Sequence, residues 1–500
     1  MIIGFFEFSV YLLGNKPVFR SVALLRQLQI LSRAEIRPER TATGEGGAMP
    51  GGKPENVTSG GLERTLGTFS ASSIVVANMI GAGIFTTTGL LVELIPDPIF
   101  LLGLWFLGGL IALAGALSYG YLGAIYPDAG GEYLFLSRIY HPLPGFLSGW
   151  VSFFVGFTAP IAAAAIGFVE YLIRILDSAG QFSESWNHPL VRKGAAVLVI
   201  FIFTAVHRLG MRTGSRVQNV LTILKVGVIL GLLGAGFAFG KGSLQHLFAA
   251  QPESTASDTF RSAGLALMWI LFAYSGWNAA TYIGAEIRRP EKTLPASLML
   301  GTGTVMLLYL LLNVFYFYAV PLSRLKGVLA VVGEATRWSF GVQADVMMSS
   351  LVALALFSSL SAFIILGPRV YYAMARDGVF FPFAARVDER RKVPHISIWL
   401  QGALACLFVL TGSFDQILTY MGFALGIFPL LTVAAVFTVR ARTGKKPPGF
   451  PWVQGFYIVL SGTVLVLAFQ ERPYESTVAI LTVLAGIPAY FFFQRKYEMR

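Results

Sequence analysis

Hydrophobic positions in this chain come as unbroken runs, not as stripes or alternations. A run of roughly 18 or more apolar residues is long enough to cross the hydrocarbon core of a bilayer as a helix. Twelve such runs can be read, over about 67–95, 99–126, 144–176, 190–207, 216–239, 262–286, 297–320, 346–376, 395–411, 414–439, 452–470 and 476–494. A soluble protein burying these helices would need amphipathic elements to cover them, and none of any length is present. The pattern therefore predicts an all-α integral membrane protein with twelve transmembrane helices. Two runs are interrupted by small residues near the middle. The first run holds Gly81-Ala82-Gly83-Ile84-Phe85, and the sixth holds Ala273-Tyr274-Ser275-Gly276-Trp277-Asn278. An unpaired backbone group in hydrocarbon costs several kcal/mol, so a broken helix persists only where it lines a cavity or is buried in protein. Paired breaks at matching places in two halves of a chain point to a transporter's binding site.

Composition agrees with the membrane reading: 55% of residues are hydrophobic and 13% charged. The net charge of +12 changes the picture through its distribution. Lys and Arg gather in residues 1–66 and in the segments after the even-numbered spans, and are sparse after the odd-numbered ones. That is the positive-inside pattern; it places both termini in the cytoplasm and supports an even number of spans. No basic stripe interleaved with aromatics suggests nucleic acid as a partner. The single cysteine, Cys406, lies in the ninth run, so no disulfide can form within the chain. The five histidines, at 141, 188, 207, 246 and 395, are scattered and show no metal-ligand spacing. No metal or cofactor is expected. Nucleophile–base pairs and paired carboxylates are missing from the spans, so the chain does not read as an enzyme. A channel, which would need a pore built by symmetry, and a sensor, which would need an appended signalling domain, are likewise not expected.

With the amino terminus inside, a unit of five helices followed by another five is inverted simply because five is odd. Both units begin with a broken helix. The expected organisation is a LeuT-type five-plus-five inverted repeat with broken helices one and six. Residues 67–239 form the first repeat, 262–439 the second, and 452–494 carry helices eleven and twelve. Residues 495–500 form a cytoplasmic tail. Residues 1–66 read as a largely disordered cytoplasmic tail. Its Met1–Gly14 stretch is neither a convincing signal peptide nor a span, and Met49 is the alternative translation start.

The breaks carry the chemistry. At Gly81–Phe85 the chain leaves the helix, freeing N–H groups at the start of the outer half-helix, where the dipole favours an anion. The amides of Ala82, Gly83 and Ile84 suit a carboxylate, and the carbonyls near Met79 and Ile80 suit an ammonium. The same glycine spacing also permits plain close helix packing. At the second break the carbonyls of Phe272, Ala273 and Ser275, beside Gly276, would complete an ammonium site. Trp277 and Asn278 also have milder readings, as a packing residue and a helix–helix hydrogen bond. Lys225 sits nine residues into the fifth run, its stem starting roughly 13 Å deep. It either snorkels to the interface, replaces a coupling cation or shuttles a proton. Asp128 and Glu132 are expected to pair with Arg369 and Arg376 in an inner gate. No acidic side chain falls in either break or in mid-span of runs three, eight or ten, so the pocket reads as suited to a neutral zwitterion.

These segments carry a resemblance. Asn78-Met79-Ile80-Gly81-Ala82-Gly83-Ile84-Phe85 resembles the first-helix signature of the amino acid–polyamine–organocation (APC) transporter superfamily. Pro127-Asp128-Ala129-Gly130-Gly131-Glu132-Tyr133 resembles its first cytoplasmic loop. Phe272–Asn278 with Glu286-Ile287-Arg288-Arg289-Pro290-Glu291-Lys292-Thr293-Leu294-Pro295 resembles the sixth helix of its L-type amino acid transporter branch. Gln218–Lys225 and Gly367–Gly378 resemble the branch's fifth and eighth helices. The resemblance covers about residues 62–440. It implies a secondary transporter of L-amino acids working by alternating access, as an exchanger or a proton-coupled permease. It places the substrate carboxylate on the amides near Ala82 and Gly83 and the amine on carbonyls near Met79, Phe272 and Ser275. Lys225 matches the lysine that stands at the sodium position of sodium-coupled relatives, implying sodium independence. Ala82, Ser275 and Ala279 depart from the family's usual residues, which bears on pocket size. No outer-loop cysteine stands where animal members tether a heavy subunit, so the expectation is no disulfide-linked partner and a bacterial inner membrane. Proton-coupled uptake of amines or polyamines is the alternative.

Overall fold

The apolar runs fold as helices whose breaks fall where the small residues are. The computed structural model describes residues 62–178, 188–248, 256–328, 331–341, 344–411, 414–471 and 473–498. They belong to one compact unit, Asn56–Arg500. The Met1–Gly14 stretch, Met49 and most of the expected tail lie outside the described residues. The first broken run forms α1 (Thr68–Met79) and α2 (Ala82–Leu94). After α3 (Pro98–Ile125) come a short α4 (Glu132–Ile139) and α5 (Pro142–Val151). A π-helical turn, Ser152–Gly156, joins α5 to α6 (Thr158–Ser178). It precedes Pro160, and Thr158 Oγ1 donates to the Phe153 carbonyl at 2.6 Å, pairing a group inside the irregular turn. Next are α7 (Pro189–Arg208), α8 (Met211–Phe239) and α9 (Ala256–Ala273). The second broken run does not resume as an α-helix. Two 3₁₀ turns, Ala279–Tyr282 and Gly284–Glu286, carry it to α10 (Pro290–Ala319). The remainder is α11 (Leu322–Leu325), α12 (Val331–Phe340), α13 (Ala344–Arg376), α14 (His395–Thr411), α15 (Phe414–Thr443), α16 (Trp452–Glu471) and α17 (Pro473–Glu498).

Among the described residues, nine helices are long and apolar enough to cross a membrane. They fall on every expected span except one, six and nine. In those three the apolar helices are shorter: Thr68–Met79, Ser262–Ala273 and His395–Leu410. Spans one and six are short because they are the broken ones. α1 packs against α8, α10 and α13, and α9 packs against α2, α3 and α16. Large apolar side chains stay exposed on the outer faces of α7, α16 and α17, including Leu198, Phe201, Val459, Val466, Leu484 and Phe492. These are the faces a bilayer would cover.

The ends of the two broken runs are tied to each other. The amides of Thr65 and Leu66 donate to the Glu286 carbonyl at 2.9 and 3.0 Å, and the Arg288 amide donates back to the Leu66 carbonyl at 2.8 Å. Residues 62–66, expected to belong to the tail, are thus held as a short strand-like clasp, and Leu62 is fully buried. Beneath it Arg369 meets Glu286 as a two-pronged pair, Nε to Oε1 at 2.8 Å and Nη2 to Oε2 at 3.2 Å. The expected pairing of Arg369 or Arg376 with Asp128 or Glu132 is corrected. The 3₁₀ turns bring Glu286, fully buried, against α13, while Asp128 is exposed and Glu132 turns toward the second break. Arg376 is exposed and lies over the Tyr372 ring at 5.8 Å.

Removing one member of a buried pair leaves an uncompensated charge, at a cost on the order of 3–5 kcal/mol. Arg369→Met should therefore lower the thermal unfolding temperature sharply in detergent. Arg369→Met with Glu286→Met together should recover much of the loss, which the same melting measurement checks.

Candidate functional site

The breaks meet across a single space. α1 ends at Met79, Ile80 leaves the helix, and α2 starts at Ala82 behind an extended Gly81 with no side-chain cap. The first amides of α2 therefore have no partner within their own helix. Gly83 abuts the second break so closely that a Cβ there would lie 2.8 Å from Ala273 Cα. Gly276 sits at φ +97°, a conformation suited to glycine, and a Cβ on it would lie 2.5 Å from Asn78 Nδ2. A cavity of about 200 Å³ opens at this meeting point. Met79, Gly81, Gly83, Phe272, Ala273, Ser275 and Gly276 all line it. Ile84 is fully buried and does not line it. Trp277 lines it too, its ring 4.7 Å from that of Tyr119 in an edge contact.

Not all the expected carbonyls are equally available. The Tyr309 hydroxyl reaches the Met79 carbonyl at 2.7 Å and the Ala273 carbonyl at 3.0 Å. It has one proton and serves one of them at a time. The Phe272 carbonyl accepts from the Ser275 amide at 3.0 Å. Ile80 does not line the cavity, and its carbonyl is already filled by Lys225 Nζ at 2.6 Å and Ser359 Oγ at 2.7 Å.

Lys225 does not snorkel. Its side chain is buried in α8, and Nζ also reaches the Ala77 carbonyl at 3.2 Å and Ser359 Oγ at 3.1 Å. Three acceptors meet the three protons of an ammonium, and two of them are carbonyls at the carboxyl end of α1, where the helix dipole favours a cation. Oxygen atoms from α1 and α13 thus form a cation site that the chain fills with its own amine.

Sequence reading missed three members of this region. Tyr309 and Ser359 were hidden as ordinary residues of long apolar runs, although Ser358-Ser359-Leu360-Ser361 is a polar cluster inside one. Glu132 was assigned to a gate, yet it lines the cavity and corrects the expectation of a pocket without an acid. Asn278 Nδ2 donates to Glu132 Oε1 at 2.6 Å. The short α4 that aims this carboxyl cannot be read from hydrophobic periodicity.

Comparison with known proteins places this chain in a family. The family model described as amino acid permease matches residues 66–488. The chain is 26% identical to the b(0,+)-type amino acid transporter 1 of Mus musculus, over 86% of this chain and 88% of the relative. It is 28% identical to the serine/threonine exchanger SteT of Bacillus subtilis (strain 168), over 87% and 98%. It is 27% identical to the large neutral amino acids transporter small subunit 2 of Homo sapiens, over 89% and 84%.

Gly83→Ala places a methyl group against the Ala273 backbone, which has no flexible end to yield. The expected result is loss of amino acid binding with a lowered melting temperature. A Gly67→Ala control, at a position with open space around it, should leave both unchanged; binding calorimetry and thermal melts check this.

From its matched span and its facing helix breaks, the chain belongs to the amino acid permease family, whose members transport amino acids across membranes and are not enzymes.

Proposed function

We propose that this protein is a sodium-independent secondary transporter of neutral L-amino acids that works by alternating access. Its twelve spans form a LeuT-type inverted repeat, residues 67–239 and 262–439, with 452–494 outside the repeats. The observation that carries the reading is the shared cavity of the two breaks. Amides at the start of α2 would take the substrate carboxylate, and the Met79, Ala273 and Ser275 carbonyls would take its ammonium. Sodium independence is supported by Lys225, whose Nζ already occupies the oxygen site between α1 and α13. A hard cation would seek such oxygens. The names of SteT, a serine/threonine exchanger, and of the large neutral amino acids transporter support exchange of neutral amino acids. The distribution of Lys and Arg supports a cell inner membrane with both termini, and the clasp of residues 62–66, on the cytoplasmic side. The lone Cys406 sits half-buried in α14, and the reading includes no disulfide-linked heavy subunit.

One observation favours a second reading, uptake of amines or polyamines: Glu132 in the cavity wall would attract a cation. Uptake of labelled amino acids and amines into proteoliposomes separates the two, run with and without internal unlabelled substrate, a proton gradient and sodium. Neutral amino acid uptake that ignores sodium and needs internal substrate is the expected result. Flux of amines alone would replace the first reading with the second.

Lys225→Met keeps side-chain length and removes the amine from the α1 carbonyls. Uptake should fall by more than about tenfold, with the gel-filtration profile retained. Uptake at the wild-type rate would remove Lys225 from the mechanism.

A further inference from the structure

Glu132 stands at the start of α4, between the spanning helices α3 and α5, and is the only acidic side chain lining the cavity among the described residues. It is 6% exposed. Helices α13 and α15 also pack against α4; the groups that interact with the Glu132 carboxyl are Tyr119 of α3, Ser148 of α5, Asn278 and Tyr282 of the second break, and Tyr457 of α16. All are neutral. Arg369, the buried cation nearest in kind, is committed to Glu286. A buried carboxylate without a counter-charge is costly, and a proton is the simplest remedy. Burial pushes the Glu132 carboxyl up to about 7, even though the hydroxyls of Tyr119, Tyr282 and Ser148 and the amide of Asn278 favour its anion.

We propose that Glu132 is a proton-binding site of the transport cavity, and that its protonation sets how firmly Asn278, and with it the second break, is held. The proposal rests on the reading of this cavity as the transport site. As the anion, Glu132 accepts a charge-assisted bond from Asn278 Nδ2, which is also 3.2 Å from the Tyr282 hydroxyl. Taking up one proton from solution turns one carboxyl oxygen into an O–H donor and leaves the other as a neutral acceptor. The bond to Asn278 then loses about half its strength. Asn278 directly follows Ser275-Gly276-Trp277, whose backbone walls the substrate cavity, so the change acts where the substrate is gripped. Glu132 is a positioning residue in this scheme, and its occupancy by a proton is sensed by the break.

Glu132→Gln keeps the size and one acceptor oxygen but cannot titrate. Infrared difference spectra of the purified full-length protein should show a protonated-carboxyl band that grows as pH falls through about 7, and the band should be missing in E132Q. In proteoliposomes the wild-type uptake rate should change across about pH 6 to about pH 8, whereas the E132Q rate, whatever its level, should not vary over that range. Tyr282→Phe removes a hydroxyl that favours the anion and should move both midpoints to higher pH, which keeps the test alive if E132Q fails to fold. A wild-type spectrum with no such band, an E132Q profile equal to the wild type, or an unmoved midpoint in Y282F would each overturn the proposal. The infrared arm needs no transport, so a protein that carries no amino acid but shows the titrating band would fail the transport reading and keep Glu132 as a proton site.

Discussion

A peptide group that leaves a helix inside hydrocarbon has to find another partner, and both interrupted spans of this protein meet that demand by facing each other. The gap between α1 and α2 lies against the end of α9 at van der Waals limits, with Gly83 on Ala273 and Gly276 on Asn78. Tyr309 spans the two breaks with one hydroxyl, touching the Met79 and Ala273 carbonyls. The backbone groups left over line a cavity sized for a small molecule. Helix packing around this point, with α1 on α8, α10 and α13 and α9 on α2, α3 and α16, holds the breaks in register.

Four charged side chains are buried among the described residues, in three arrangements. Lys225 rests on two carbonyls and a hydroxyl, so its ammonium has an acceptor for every proton. Arg369 and Glu286 neutralise each other with two parallel bonds, a geometry that suits guanidinium and carboxylate. Glu132 has only neutral donors around it. The first two arrangements find their partners within the protein; the third is left open to solution protons. The backbone clasp of residues 64–66 with 286–288 sits directly beside the Arg369–Glu286 pair, so opening that end of the bundle must disturb both.

Much of this was readable from residue order. Run length alone located the helices, and the two small-residue interruptions located the cavity, because only a site buried in protein tolerates them. Seven of the ten residues named for substrate contact line the cavity. The misreadings share a cause. Glu286 was passed over as the partner of Arg369 because the second break was not expected to continue as 3₁₀ turns, and those turns decide where Glu286 lands. Ile80 was assigned to the substrate because a carbonyl's direction at a helix end depends on the φ and ψ of one residue. Residues 62–66 have a tail-like composition but find hydrogen-bond partners more than two hundred residues away.

Residue order by itself determined the all-helical membrane class, the place of both breaks and the presence of a lysine deep within a span, since each follows from hydrophobic run length and local backbone chemistry; that this lysine does not reach the interface was decided by packing. Folding in three dimensions alone decided which charges meet. Arg369 could have paired with any of several acids, and Glu132 could have faced solvent, an arginine or the cavity. Pairing energies depend on separations of a few ångströms and on local burial, and those are set by how distant helices pack, which no single stretch of sequence encodes.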